Sequence, residues 1–74
     1  MPNNQKKTTA TRTFLLYLDE DAPGSLRMFI NLQRASRSLD RISPGHFVAI
    51  GQQPAVLDVL DTCPLAVQKC EVLG

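Results

Sequence analysis

The tightest constraint on this chain is an abrupt change of pattern between Thr13 and Leu39. Residues 13–18, "TFLLYL", are aromatic and branched aliphatic with little alternation. That composition predicts a strand buried on both faces, as in a parallel sheet covered by helices. The run ends in Asp19, Glu20 and Asp21, followed by Ala22-Pro23-Gly24-Ser25. Pro23 fixes the approach to a helix, Gly24 or Ser25 can cap it, and the carboxylates face the positive end of its dipole. Residues 26–39, "LRMFINLQRASRSL", then predict an amphipathic helix. At 100° per residue, Met28, Phe29, Leu32, Ala35 and Leu39 share one arc, and Arg27, Arg34 and Arg41 lie opposite with Arg37 nearby. Leu26 and Ile30 fall outside the apolar arc, beside Arg37. Either another element covers them or they belong to an exposed contact surface.

The rest of the chain supplies shorter elements. Asp40 to Gly45 ends the helix through Ser43-Pro44-Gly45. "HFVAI", residues 46–50, reads as a second strand released by Gly51. Pro54 opens a short helix over residues 55–61, with Val56, Leu57, Val59 and Leu60 apolar and Asp58 and Asp61 toward water. Thr62-Cys63-Pro64 breaks it, and "LAVQKCEVLG" reads as a last strand, or as two very short strands with a turn near Gln68-Lys69. The expected order is strand, helix, strand, short helix, strand: an open α/β sandwich whose first three elements form a βαβ unit, right-handed if its strands are parallel. Residues 1–11 are polar without period and are expected to be a flexible leader, with residues 12–74 one domain.

Seventy-four residues bury only roughly 60% of the extended surface, so the core is thin and association would help it. No apolar run is long enough to span a bilayer. The formal charge of +1 gives no global attraction to a polyanion, and Arg27, Arg34, Arg37 and Arg41 have no interleaved aromatic residues for stacking bases. The pattern therefore favours a protein partner or homo-oligomer over a membrane or a nucleic acid. Two cysteines, Cys63 and Cys70, fit a reduced, cytoplasmic chain better than a disulfide scaffold. His46 is the single histidine, so no zinc set and no histidine-activated nucleophile with a G-x-S-x-G corner is spelled out. No phosphate-cradling glycine motif follows the first strand. No metal or cofactor is expected.

"LLYLDEDAPGSLRMFINLQRA", residues 15–35, resembles the opening of the circadian-clock KaiB family and the related sensor domain of the SasA kinase. The matching positions are Leu16, Tyr17, Pro23, Ser25, Arg27, Asn31 and Leu32. Pro54 is similar to a proline in the family's second loop. Thr62-Cys63-Pro64-Leu65 is similar to its Thr-Pro-Thr-Leu stretch, with Cys63 inserted. The resemblance implies a thioredoxin-like fold, or the rearranged form of it that the family also uses, here C-terminally shortened. In redox-active thioredoxin-like proteins the first strand-to-helix corner carries Cys-x-x-Cys; the equivalent positions here are Ala22 and Ser25. The resemblance also implies a cis Cys63–Pro64 bond facing that corner. A trans proline at the first residue of a strand is the alternative.

These features lead to an expected non-enzymatic protein–protein interaction module in signalling or circadian-type regulation. Asp19, Glu20, Asp21, Leu26, Ile30, Arg34 and Arg37 are its expected partner-binding residues, and Pro23, Ser25 and Pro64 are structural. Two alternatives stay open: a thiol-dependent redox enzyme using Cys63, and a purely structural oligomeric subunit.

Overall fold

The computed structural model describes residues 10–73. Strand β1 spans Thr11–Leu18 and helix α1 Ser25–Ala35. Strands β2 (Ser36–Ser43) and β3 (His46–Gln52) follow, then helix α2 (Gln53–Asp61), a 3-10 turn (Pro64–Ala66) and strand β4 (Val67–Val72). The strands form one sheet in the order β2-β3-β1-β4, and every neighbouring pair is antiparallel. This is the split βαβ arrangement, in which β3 lies between β1 and β2.

A small mixed α/β fold with an open sheet is therefore present, but the expected element order needs correction. The predicted helix over 26–39 ends at Ala35, and Ser36–Ser43 form an additional strand. Leu39 falls on the helical arc by coincidence of spacing. In the fold it pairs with Ala49 on β3 and packs against the core from β2. Ser36 and Ser38 explain the break, because serine offers the backbone competing hydrogen bonds and favours helix ends. Ser36 is already extended, with φ −101° and ψ 152°.

The extra strand reverses the chain before His46. Residues 13–18 and 46–50 are indeed neighbours, but as an antiparallel pair with Leu16 opposite Phe47. A βαβ unit with these strands parallel is thus overturned. The reversal occurs at Pro44-Gly45, and Gly45 has φ +81°. Proline followed by a glycine at positive φ is the type II turn pattern. Such a turn matches strand twist poorly, and the β2–β3 register shifts next to it, between Arg41 and Ser43.

Two-sided burial of β1 is also corrected. Phe14, Leu16 and Leu18 are buried, whereas Thr13, Leu15 and Tyr17 alternate with them and are only half-buried. Both helices cover the same face. Met28 and Leu32 of α1 and Val56 and Leu60 of α2 join Phe14, Leu16, Leu18, Phe47, Ala49 and Ala66 in one cluster. Full burial of each larger member contributes about 1.5–3 kcal/mol before entropic costs. Phe29 adds a tilted contact to Phe47 at 5.2 Å between ring centroids. The opposite face of the sheet carries Leu15, Tyr17, Val48 and Ile50, all half-buried.

Helix α2 and the last strand follow the sequence expectation closely. Pro54 lies in the first turn of α2, Val56 and Leu60 point inward, and Asp58 and Asp61 are exposed. The leader expected over residues 1–11 falls outside the described residues for positions 1–9. Thr11 already belongs to β1, and the Ala10 carbonyl accepts a bond from the Gln53 amide at 3.4 Å. Among the described residues, no helix is long and apolar enough to cross a membrane.

Candidate functional site

The corner between β1 and α1 is a hydrogen-bonded knot built from the residues that the sequence singles out. The Leu18 amide donates to the Gly45 carbonyl at 2.8 Å, and the Asp19 amide donates to Ala66 at 2.7 Å. The end of β1 is thereby tied both to the β2–β3 turn and to the 3-10 turn. The Asp19 carboxylate accepts from the Asp21 amide at 2.9 Å, closing a local turn. Gly24, at φ +85°, precedes α1 in the N-cap position and the Met28 amide donates to its carbonyl at 3.1 Å. Ser25 is the first helical residue. Its side chain makes no cap bond; Oγ donates to the Glu20 carbonyl at 2.8 Å and is buried.

Glu20 binds across the fold rather than to the helix dipole. One carboxylate oxygen accepts from the Gly45 amide at 2.6 Å and from Arg41 Nε at 2.9 Å. The Gly45 bond first, and the Arg41 guanidinium second, hold its carboxyl below the ordinary carboxylate range. Asp19, Glu20 and Asp21 line one side of a cleft of about 370 Å³, with Arg41, Gly45 and His46 opposite. A hydrogen bond of 2.9 Å joins the His46 ring to Ser43 Oγ, and the ring meets Tyr17 edge-on at 4.6 Å. Among the described residues, no three His, Cys, Asp or Glu side chains gather as a metal-binding set.

Cys63 lies at this corner. Its Sγ donates to the Pro23 carbonyl at 3.3 Å, and a methyl group at Gly24 would stand 3.5 Å from that sulfur. The Cys63–Pro64 bond is trans, which corrects the cis expectation. Pro64 opens a helical turn instead of a strand, and its missing N–H suits that first position. The Ala66 amide closes the turn on the Cys63 carbonyl at 3.0 Å. Cys70 is free and half-buried, and burial pushes its thiol up.

Leu26 and Ile30 are 72% and 46% exposed: among the described residues, no other element covers them. Arg34 follows Ile30 by the same four-residue step, so the three residues form one outward row on α1. Asp21 is exposed at the head of that helix. Arg37 does not belong to the row, because β2 carries it at the other end of the sheet. There its neighbour Ser36 pairs with Gly51, roughly 17 Å along β3 from His46. The expected residues thus divide between an acidic end, a helical row and a basic end.

Sequence reasoning missed the helix-free sheet face and the latch from Glu20 to Gly45. On that face Lys69 Nζ sits 5.6 Å from the Tyr17 ring centroid. Reading "SRSLDRIS" as a strand, with Leu39 and Arg41 alternating to one side, would have exposed both features. No family model matches the chain, and neither curated proteins nor solved structures give a match.

Proposed function

We propose that this chain is a non-enzymatic protein-interaction module whose contact surface is the outer row of α1 with the acidic corner at its head. The observation that carries this reading is the exposure of Leu26 and Ile30 on a helix whose opposite arc is fully packed. Burying the exposed parts of these two aliphatic side chains against a partner would contribute about 2–3.5 kcal/mol of gross hydrophobic free energy. Asp21 and Arg34 at the two ends of the row supply opposite charges that would set orientation more than affinity. Glu20 and Ser25 hold the row's position, since their polar groups are already engaged within the fold.

The KaiB-like kinship enters this reading as a proposal resting on the residues of β1 and α1. Its thioredoxin-like form requires β1 parallel to the strand beside it, and β1 and β3 are antiparallel. Within this proposal the kinship would be to the family's rearranged form, with a regulatory role in the cytoplasm as its functional corollary.

The test pairs native mass spectrometry with affinity capture for the wild type and the double variant L26D/I30D. The expected result is a specific complex, with a partner or a second copy, that the folded variant fails to form. Equal complex formation by both proteins would remove the α1 row from the interface. One observation favours the thiol-enzyme alternative: Cys63 Sγ lies at the head of α1, 3.3 Å from the Pro23 carbonyl. Alkylation of Cys63 at neutral pH faster than that of a free cysteine would select this alternative.

A further inference from the structure

The end of the sheet far from the acidic corner carries polar groups that the fold leaves unanswered. Arg12 on β1 and Ser36 on β2 both pair with Gly51 on β3, so the three residues form one row across the sheet. Alternation places Arg12 and Gly51 on the same side as Phe14 and Ala49, under the helices. The row is tightly closed at its centre. A Cβ at Gly51 would stand 3.2 Å from both Ser36 Cα and Val56 Cγ2. That close approach draws Arg12 Nε and Ser36 Oγ out of solvent, and neither has a hydrogen-bond partner among the described residues. Buried polar atoms are normally satisfied, and an orphan is costly.

Ser36 also lines an open cleft of about 380 Å³, together with Thr11, Ala35, Arg37, Gly51 and Gln52. The lining contributes a guanidinium, two hydroxyls and a side-chain amide, but no carboxylate. Helix α2 begins directly after Gln52, with neither a side-chain cap nor an acidic residue in its first turn. The Gln53 amide there is bonded to the Ala10 carbonyl and Pro54 has no N–H, and the C-terminal end of α1 at Ala35 brings the opposite pole to the same cleft, so the helix dipoles offset and the charge of the site comes from Arg37. Every unpartnered group here, Arg12 Nε and Ser36 Oγ included, can donate a hydrogen bond. The carboxylates of the β1–α1 corner lie at the opposite end of β1.

We propose that this cleft binds a phosphate group, either free or as a monoester. Ser36 Oγ and the Arg37 guanidinium donate to its oxygens. A guanidinium fork beside a hydroxyl that is free to donate suits a tetrahedral oxyanion. The cleft is open, so affinity is of roughly millimolar order.

The test is an amide NMR titration of the full chain with inorganic phosphate and, separately, with O-phosphoserine, using chloride at matched ionic strength as control. Saturable shifts centred on Ser36, Arg37, Gly51 and Gln52 are expected with phosphate and not with chloride. Tighter binding of O-phosphoserine would identify a monoester as the source, and tighter binding of inorganic phosphate a free anion. R37Q, at an exposed position, should weaken binding about tenfold, the loss of one charge-assisted bond. S36A should weaken it too, with the Leu39–Ala49 pairing of β2 on β3 checked in the unliganded spectrum. Three results would each overturn the proposal: no saturable shift by roughly 20 mM phosphate, equal shifts with chloride, or wild-type binding in both variants.

Discussion

Replacing Gly45 by alanine tests whether the acidic corner is held in place as described. The position has φ +81°, and alanine in that left-handed region costs about 1–2 kcal/mol. Its Cβ would also stand 3.0 Å from the Leu18 carbonyl oxygen. That oxygen belongs to the central strand, and the Leu18 amide is bonded to Gly45 itself at 2.8 Å, so relief requires moving β1 or the turn. The contact adds about 1–2 kcal/mol, in the lower range of overpacking penalties, for a total of about 2–4 kcal/mol. Gly24 provides an internal control. Its φ is +85°, but a Cβ there meets only Cys63 Sγ at an ordinary 3.5 Å, so G24A should cost about 1–2 kcal/mol. A domain of this size has roughly 4–11 kcal/mol in total. Urea titration followed by circular dichroism should resolve both losses, with unchanged slopes. In thermal melts each kcal/mol corresponds to about 4–8 °C. If G45A costs no more than G24A, the close packing of the turn on β1 is wrong.

Further outcomes concern single side chains. Glu20 has a lowered carboxyl pKa in the fold, so its stabilisation is fully present above its unfolded value of about 4.5 and is lost as pH falls through the lowered one. Urea midpoints of E20Q should therefore fall less steeply than wild type on acidification from pH ~6 to ~3; parallel curves would contradict the Gly45–Glu20–Arg41 link. L32A removes a fully buried side chain of α1 and should cost about 2–5 kcal/mol. I30A, on the outer row, should cost under about 1 kcal/mol by the same denaturation assay. In a Cys63→Ser background, Cys70 should alkylate with iodoacetamide at mildly alkaline pH more slowly than a free cysteine, because burial raises its pKa. A rate equal to free cysteine would place that thiol in solvent.

The elements that announce themselves in one dimension are those with an unambiguous period or a mandatory breaker. "TFLLYL" has strand-forming side chains throughout, and α1 has an apolar arc bounded by a proline-glycine turn. In α2, Pro54 precedes inward valine and leucine. Those segments occupy their expected elements. "SRSLDRIS" offers one apolar residue per side and fits a helix continuation as well as a strand, so its identity depends on the hydrogen bonds of β3. The same ambiguity carried the site. Arg37 belongs beside Leu26 and Ile30 if the helix continues, and at the far end of the sheet once Ser36 turns into β2.

By itself, the sequence determined a strand, a proline-glycine corner and a helix with Leu26 and Ile30 on its wrong side, because local sterics and periodicity act within a few residues. It also determined that no sulfur pair stands at that corner. Tertiary structure alone decided that the sheet is antiparallel, that Glu20 reaches Gly45 and Arg41, and that Arg12, Gly51 and Ser36 meet in one row. Those pairings join residues some 15 to 39 positions apart. They arise only when one face of the sheet is buried and the strands must settle into the register that buries it.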